Sequence, residues 1–284
     1  MIKELCINSV RRLVGLNQIN TGIAMRLDKQ IKKTKPVILT LNYNELYLSN
    51  MVKLLDEYQI VVYECHGSKP LFDVGKSVKA HKTKEITPDI IPDVVVCQCV
   101  QYHYTTCREL AETYGCPLIV VEHEAPEKNY GIHNSILCDK VIFYSNEHYG
   151  LWVSNKSKAT KQPIKNADLI KPTYFKDAKQ HGMLHVINSQ SLSCINEVLY
   201  SMGKCQCVVA PGIWENMKAI CDNFSGFLYN PTNKSSFAKI IENISNNYSL
   251  RKTIGNNAQT SVELNYSNEE FRKNWYRVLD GVIK

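Results

Sequence analysis

The chain has 284 residues, a formal net charge of +7, 44% hydrophobic residues and 21% charged residues. At roughly 150 residues per domain, this length predicts about two domains. The composition is that of an ordinary globular protein, which excludes wholesale disorder, collagen and coiled coil. The mildly basic balance permits a polyanionic partner without requiring one.

The sequence contains no run of eighteen apolar residues, and its N-terminus carries charges where a signal peptide needs an apolar stretch. We therefore expect no transmembrane segment and a cytoplasmic location, in a bacterium or, if the protein is viral, in its host. The eleven cysteines lie mostly in apolar runs, which favours reduced, buried thiols over disulfides. Two C-x-C pairs, at 97/99 and 205/207, lack a second pair at zinc spacing, so no metal site is predicted.

In the first half of the chain, short apolar runs alternate with segments of helical period, a pattern typical of βαβ units with a parallel sheet. It predicts a Rossmann-like N-terminal domain over residues 1–150. The predicted strands are 4–9, 36–41, 60–65, 93–100, 118–121 and 140–144. The predicted helices are 21–33, 45–57 and 104–114, and Gly115 is expected to end the last of these in a left-handed cap.

The second half of the chain repeats this alternation of strands and helices over a shorter stretch. Strands are predicted at 183–187, 205–209 and 226–229, and helices at 195–202, 216–221, 235–244, 250–258 and 268–283. The expected organisation is a linker and domain entry at 151–182, a C-terminal domain at 183–267, and a helix at 268–284 that packs back toward the N-terminal domain. The fold class is therefore α/β, with two Rossmann-like domains, parallel sheets and a reduced C-terminal domain.

Ligands of open parallel sheets bind beyond the carboxyl ends of the strands, so the loops after strands are the candidate sites. In loop 10–22, Gly15 and Gly22 would let the backbone approach a phosphate, although an ordinary glycine turn is the alternative because G-x-G-x-x-G is absent. After the strand at 118–121, His123 could transfer a proton or hold a sugar hydroxyl. The alternative for His123 is a surface histidine neutralised by Glu122 and Glu124.

Two further loops follow strands of the second half. Loop 188–193 leads into a helix, where Ser193 is a good N-cap and the first turn, from Cys194 onward, would direct backbone N–H groups at an anion. Glu197, one turn in, could accept hydrogen bonds from ribose hydroxyls or simply complement the helix dipole. In loop 211–215, Gly212 permits unusual backbone, and Trp214 offers either a stacking surface or plain packing.

Four stretches of the second half occur in a characteristic order: NEVLYSMGK at 196–204, CVVAPGIWE at 207–215, CDNFSGFLYNP at 221–231 and LRKTIGNNAQ at 250–259. This order resembles the C-terminal half of glycosyltransferases of the GT-B fold, and most of all the retaining family 4 group. In the first half, CDKVIFYSN at 138–146 resembles the strand that precedes the family's interdomain linker. The resemblance is specific over 194–260 and generic over 1–150.

The resemblance implies a donor site with defined residues. Glu197 matches the glutamate that holds the ribose of the donor nucleotide, and His123 matches a position facing the transferred sugar. The diphosphate would lie at the helix start, with Gly15 and Gly22 approaching from the other domain. The predicted donor-binding set is completed by Ser189, Ser193, Cys194 and Gly212. Enzymes of this fold generally need no metal, because positive side chains and helix N-termini neutralise the leaving diphosphate.

The implied activity is a metal-independent glycosyltransferase (EC 2.4 type) without a cofactor, using a nucleotide-sugar such as a UDP-sugar as co-substrate. Its acceptor would be a glycan, a lipid or a hydroxymethylated base in phage DNA. Ser189 stands where the family has a second glutamate, and the donor domain is short. These two departures motivate the alternative, a catalytically degenerate GT-B-like protein that binds a nucleotide or a glycan.

Overall fold

The structure is a computed structural model that describes residues 35–64, 76–79, 91–124, 138–154, 164, 166–174, 178–189 and 194–283. The strand predicted at 4–9, the helix predicted at 21–33 and the glycine loop between them lie outside these residues.

The larger of two sheets has seven parallel strands in the order β3-β2-β1-β4-β5-β6-β7. Its central strands, VILTL and VVVC, are buried at every residue, because helices cover both faces of a parallel sheet. The strand order reverses direction between β1 and β4, which is where such sheets bind ligands. The strands are β1 (Val37–Leu41), β2 (Gln59–Glu64), β3 (Lys76–Lys79), β4 (Val94–Cys97), β5 (Leu118–Val121), β6 (Lys140–Phe143) and β7 (Ala167–Leu169).

In the described ranges, three helices connect these strands: α1 (Glu45–Leu54), α2 (Val100–Tyr114) and α3 (Asn146–Ser154). The side chain of Asn44 caps α1 by accepting a hydrogen bond from the Tyr47 N–H. Gly115 ends α2 in the left-handed conformation, with φ of 59°, as the sequence predicts.

The second sheet has three parallel strands in the order β10-β9-β8: β8 (Leu184–Val186), β9 (Cys207–Pro211) and β10 (Phe227–Tyr229). Four helices accompany it: α4 (Cys194–Gly203), α5 (Trp214–Ala219), α6 (Lys234–Ser245) and α7 (Tyr248–Asn265). Gly255 lets α7 pass close to the chain before β9, since a Cβ there would overlap the carbonyl of Cys205.

Three elements that belong to the larger sheet or pack beside it were not predicted from the sequence: strands β3 and β7 and helix α3. Strand β7 falls inside the segment 151–182 that the sequence indicated as linker, and it extends the first sheet by pairing in parallel with β6. Its three residues are too few to show alternation. Helix α2 starts at Val100, four residues before the predicted start, because the uniform apolar run 93–100 hides the change from strand to helix.

The two sheets are joined by the last helix, α8 (Asn268–Val282), which packs against α1 of the first unit. Trp275 of α8 is fully buried, and its Nε1–H donates to the hydroxyl of Tyr47 at 3.1 Å. The guanidinium of Arg277 makes a two-pronged ion pair with Asp168 of β7, at 2.6 and 3.0 Å. One hydrophobic core therefore continues from the first unit into the second.

Candidate functional site

The carboxyl ends of the two sheets face each other. Tyr144 and Ser145 follow β6 of the first sheet, whereas Asn196 lies in the first turn of α4 and Glu215 lies in α5, just after β9. The Asn196 amide donates to the Tyr144 hydroxyl at 3.1 Å, and the Ser145 hydroxyl donates to a Glu215 carboxylate oxygen at 3.1 Å. Loops that follow strands in both sheets thus meet at one interface, the usual place for a ligand site in folds of this kind.

His123 follows β5 and is buried at this interface, with 2% exposure. Its Nε2 lies 2.8 Å from the side-chain oxygen of Gln98, which follows β4, and its Nδ1 contacts the hydroxyl of Tyr144. Gln98 uses its amide hydrogens toward Met51, so its oxygen accepts and Nε2 of His123 carries the proton. Nδ1 then accepts from Tyr144, which completes a chain from Asn196 through Tyr144 and His123 to Gln98.

The environment of His123 keeps its ring neutral. Burial, with a smaller contribution from nearby His148, lowers the pKa of His123 to about 3. Both ring nitrogens are occupied by protein groups, so in this arrangement the ring orders the interface and does not face open solvent. The catalytic role that the sequence suggests for His123 therefore stays a prediction. The alternative of an exposed surface histidine is wrong.

Glu197, the residue after Asn196 in α4, contacts β8 and not Tyr144. Its side chain is 40% exposed, and one carboxylate oxygen lies 2.9 Å from Nε2 of His185, in β8. Among the residues that the structure describes, this carboxylate is neither buried in the core nor paired with a lysine or an arginine. It is held by a histidine in a position that solvent can reach.

Hydrogen-bond acceptors surround the His185 ring on two sides. Nε2 faces Glu197, whereas Nδ1 lies 2.7 Å from the Ser201 hydroxyl and 3.1 Å from the side-chain oxygen of Gln206. The hydrogen bond to Glu197 raises the pKa of His185 and burial lowers it, and the net pKa is above that of an ordinary histidine. A protonated His185 satisfies both acceptors and orients the Glu197 carboxylate.

The other predicted donor-binding residues are placed differently. Ser189 is exposed just beyond the carboxyl end of β8. The Cys194 side chain is buried against Asn216, and burial raises the pKa of its thiol to about 11, so this residue can offer a ligand only its backbone. The Gly212 N–H donates to the Tyr229 carbonyl at 2.7 Å and is therefore already used within the fold. Gly15, Gly22 and Ser193 lie outside the described residues.

Sequence reasoning missed several residues that build this interface. Tyr144, Gln98 and Asn196 each lie near the end of a predicted strand or the start of a predicted helix. Tyr144 and Asn196 also fall within stretches that carry the family resemblance, but no role was predicted for any of the three side chains. His185 sits in the middle of a three-residue strand, so only its pairing with a helix twelve residues later shows its role. Tyr144 and Gln98 carried a usable signal, since polar side chains that follow buried parallel strands gather at one edge of the sheet.

Within the described ranges, no group of three or more His, Cys, Asp or Glu side chains could hold a metal ion. None of the helices described is both long and apolar enough to cross a membrane. All nine cysteines in the same ranges are free, and seven of them are buried.

The chain forms two Rossmann-like units whose strands point their carboxyl ends at each other. The second unit is the smaller one, and the C-terminal helix packs back against the first. This arrangement defines the GT-B class of α/β fold. Comparison with solved structures gives the same class. HepE of Anabaena, solved in complex with UDP-glucose, is similar over 86% of this chain and 99% of its own, with a TM-score of 0.63 and 12% identity.

A glycosyltransferase from Rickettsia africae is similar over 89% of this chain and 100% of its own, with a TM-score of 0.55 and 13% identity. Sucrose-phosphate synthase from Thermosynechococcus elongatus is similar over 87% of this chain and 99% of its own, with a TM-score of 0.56 and 8% identity. No protein-family model matches the sequence, and no curated protein matches it. At these identities the likeness establishes the GT-B fold.

Proposed function

We propose that this protein is a glycosyltransferase that moves a sugar from a UDP-sugar to an acceptor hydroxyl. The observation that carries the proposal is the GT-B likeness along nearly the whole chain to HepE, which binds UDP-glucose. The meeting of loops from both sheets at one interface supports it, because this is where the fold offers backbone N–H groups and side chains to a nucleotide.

The donor lies, in this proposal, at the start of α4. Backbone N–H groups of its first turn, from Cys194 to Asn196, bind the diphosphate, and Glu197 accepts hydrogen bonds from the ribose hydroxyls. Gly15, Gly22, Ser189 and Ser193 complete the donor site as proposed from the family resemblance. The backbone of Gly212 is not in the left-handed region, which corrects the expectation of unusual backbone there. Gly212 stays in the proposed donor site as a residue without a side chain, since its own amide is taken by the Tyr229 carbonyl.

The proposed reaction breaks the bond between the anomeric carbon and the diphosphate oxygen. The acceptor oxygen forms the new bond to that carbon and loses its proton, and the nucleoside diphosphate leaves. Helix N-termini and positive side chains stabilise the charge that develops on the diphosphate, so we propose that neither a metal nor a further cofactor is needed. His123 is proposed to hold the transferred sugar after Tyr144 releases its Nδ1.

The acceptor is a hydroxyl-bearing molecule, and nothing in the comparisons supports modified phage DNA in this role. The degenerate, binding-only alternative is not favoured either, since the compared proteins include two that are named as enzymes, a glycosyltransferase and a sucrose-phosphate synthase. The test is turnover: release of UDP from UDP-glucose and other UDP-sugars, measured with a mixture of candidate acceptors. Absence of both turnover and nucleotide binding across UDP, GDP and CMP sugars overturns the proposal.

A further inference from the structure

A cavity of about 1020 Å³ lies between the two units, on the side where the chain crosses from one to the other. The crossing residues Lys171 and Pro172 form one wall, and the junction of α7 with α8 forms another. Ser145 and Glu215 line it as well, so it adjoins the interface that holds His123. A volume of this size accommodates a ligand as large as a short oligosaccharide.

The charges around this cavity argue against a polyanion. Three lysines and four glutamates line it, which leaves one net negative charge when all are ionised, in a chain whose total is +7. One of the lysines, Lys218, is already engaged by Glu147 at 2.5 Å and lies 3.9 Å from Glu215. A groove for DNA or for a phosphorylated headgroup needs an excess of positive charge, which this lining lacks.

The lining instead suits a neutral ligand with many hydroxyls. The side chain of Glu215 is 7% exposed, and the Ser145 hydroxyl donates to its carboxylate at 3.1 Å. Burial raises its pKa, which is the behaviour expected of a carboxylate that is poised to accept a proton from a hydroxyl. The largely buried residues Tyr266 and Phe271 and the amides of Asn265 and Asn274 complete the lining.

We propose that this hinge-side cavity binds a neutral carbohydrate, the acceptor of the transfer, with Glu215 as its buried carboxylate ligand. The identification of this carbohydrate as the acceptor rests on the proposed function, whereas the binding of a carbohydrate rests on the cavity alone. The carboxylate accepts hydrogen bonds from sugar hydroxyls, and Ser145 fixes its orientation from the other unit.

A glycan array that carries neutral, sulfated and phosphorylated glycans tests the proposal directly, with a DNA duplex measured in parallel. Three variants accompany the full-length wild-type chain. Glu215→Gln removes the charge and keeps the shape, and Glu242→Gln is the matched control on the exposed surface of α6, away from the cavity. Asn146→Trp places a large ring at an exposed lining position, so the test survives if Glu215→Gln does not fold.

We expect the wild type to retain neutral glycans, with roughly tenfold weaker retention by Glu215→Gln and Asn146→Trp and no change in Glu242→Gln. Binding of UDP by Asn146→Trp should equal that of the wild type. The inference is overturned if only charged glycans or DNA bind, if no glycan binds, or if neutral glycans bind all variants equally. A wild type that retains glycans but binds no nucleotide overturns the proposed function instead and leaves this cavity site standing.

Discussion

The contact of α8 with α1 joins the two units, as does the contact of α4 with α1, and Trp275 is buried in the first of these. The side chain has 0% exposure, packs against Phe271 with ring centroids 6.5 Å apart, and donates to the Tyr47 hydroxyl. Truncation by Trp275→Ala removes both the packing and the hydrogen bond. The Tyr47 hydroxyl would then be left in a fully buried site without its donor.

The size of the effect follows from the burial. A buried tryptophan removes roughly 150–250 Å² from water, which at about 25 cal/mol per Å² is worth about 4–6 kcal/mol. Measured Trp→Ala substitutions in cores cost about 3–5 kcal/mol, and the lost hydrogen bond is included in that range. We therefore expect the free energy of unfolding to fall by about 4 kcal/mol.

Urea unfolding followed by circular dichroism measures this change. With a slope of roughly 2 kcal/mol per molar urea, the midpoint should fall by about 2 M. The matched control is Trp214→Ala, because Trp214 is 53% exposed, with the Lys218 ammonium 5.7 Å from the centre of its ring. Its midpoint should move by less than about 0.5 M. Equal falls of the urea midpoint in the two variants would refute the claim that packing of α8 holds the two units together.

Three further outcomes are expected. Because the pKa of His185 is raised in the folded state, protonated His185 stabilises the fold fully below pH about 6.5, and this stabilisation disappears as the pH rises through its folded-state pKa. The difference in melting temperature between wild type and His185→Gln should therefore shrink as the pH rises. Burial raises the pKa of Asp168, but the hydrogen bonds from Arg277 and the Leu169 N–H and the charges of Arg277 and Lys140 together outweigh it, so the net pKa is lowered. The stability difference between wild type and Asp168→Asn should therefore be present at neutral pH and vanish as acid protonates this carboxyl. Among the described cysteines, Cys221 alone is exposed, so a thiol reagent followed by peptide mapping should modify it first, and modification of Cys97 at an equal rate would contradict the structure.

Local patterns predicted most of the regular structure. The strand at 118–121 and the cap at Gly115 follow directly from an apolar run, a proline and a glycine, and the structure has both. Helix α8 was predicted to within one residue, because its amphipathic pattern is regular over fifteen residues, whereas α7 continues seven residues beyond its predicted end at 258.

The features that were not predicted from the sequence depend on contacts between residues that are distant along the chain. Strand β7 has three residues, ADL, and exists because β6 offers it an edge and Arg277 holds its aspartate. The pairing of His185 with Glu197 and the contact between Tyr144 and Asn196 join different elements, so no local pattern reveals them. His123 was found by its place after a strand, but its buried state depends on Gln98 and Tyr144.

The most direct test of the central claim is calorimetric titration of UDP into the wild type, Glu197→Gln and the control Glu242→Gln. The account predicts that wild type and control bind equally and that Glu197→Gln binds at least about tenfold more weakly, because a charged acceptor of ribose hydroxyls is lost. Equal binding by all three proteins, or no binding of UDP, GDP or CMP by the wild type, would contradict a nucleotide site at the start of α4.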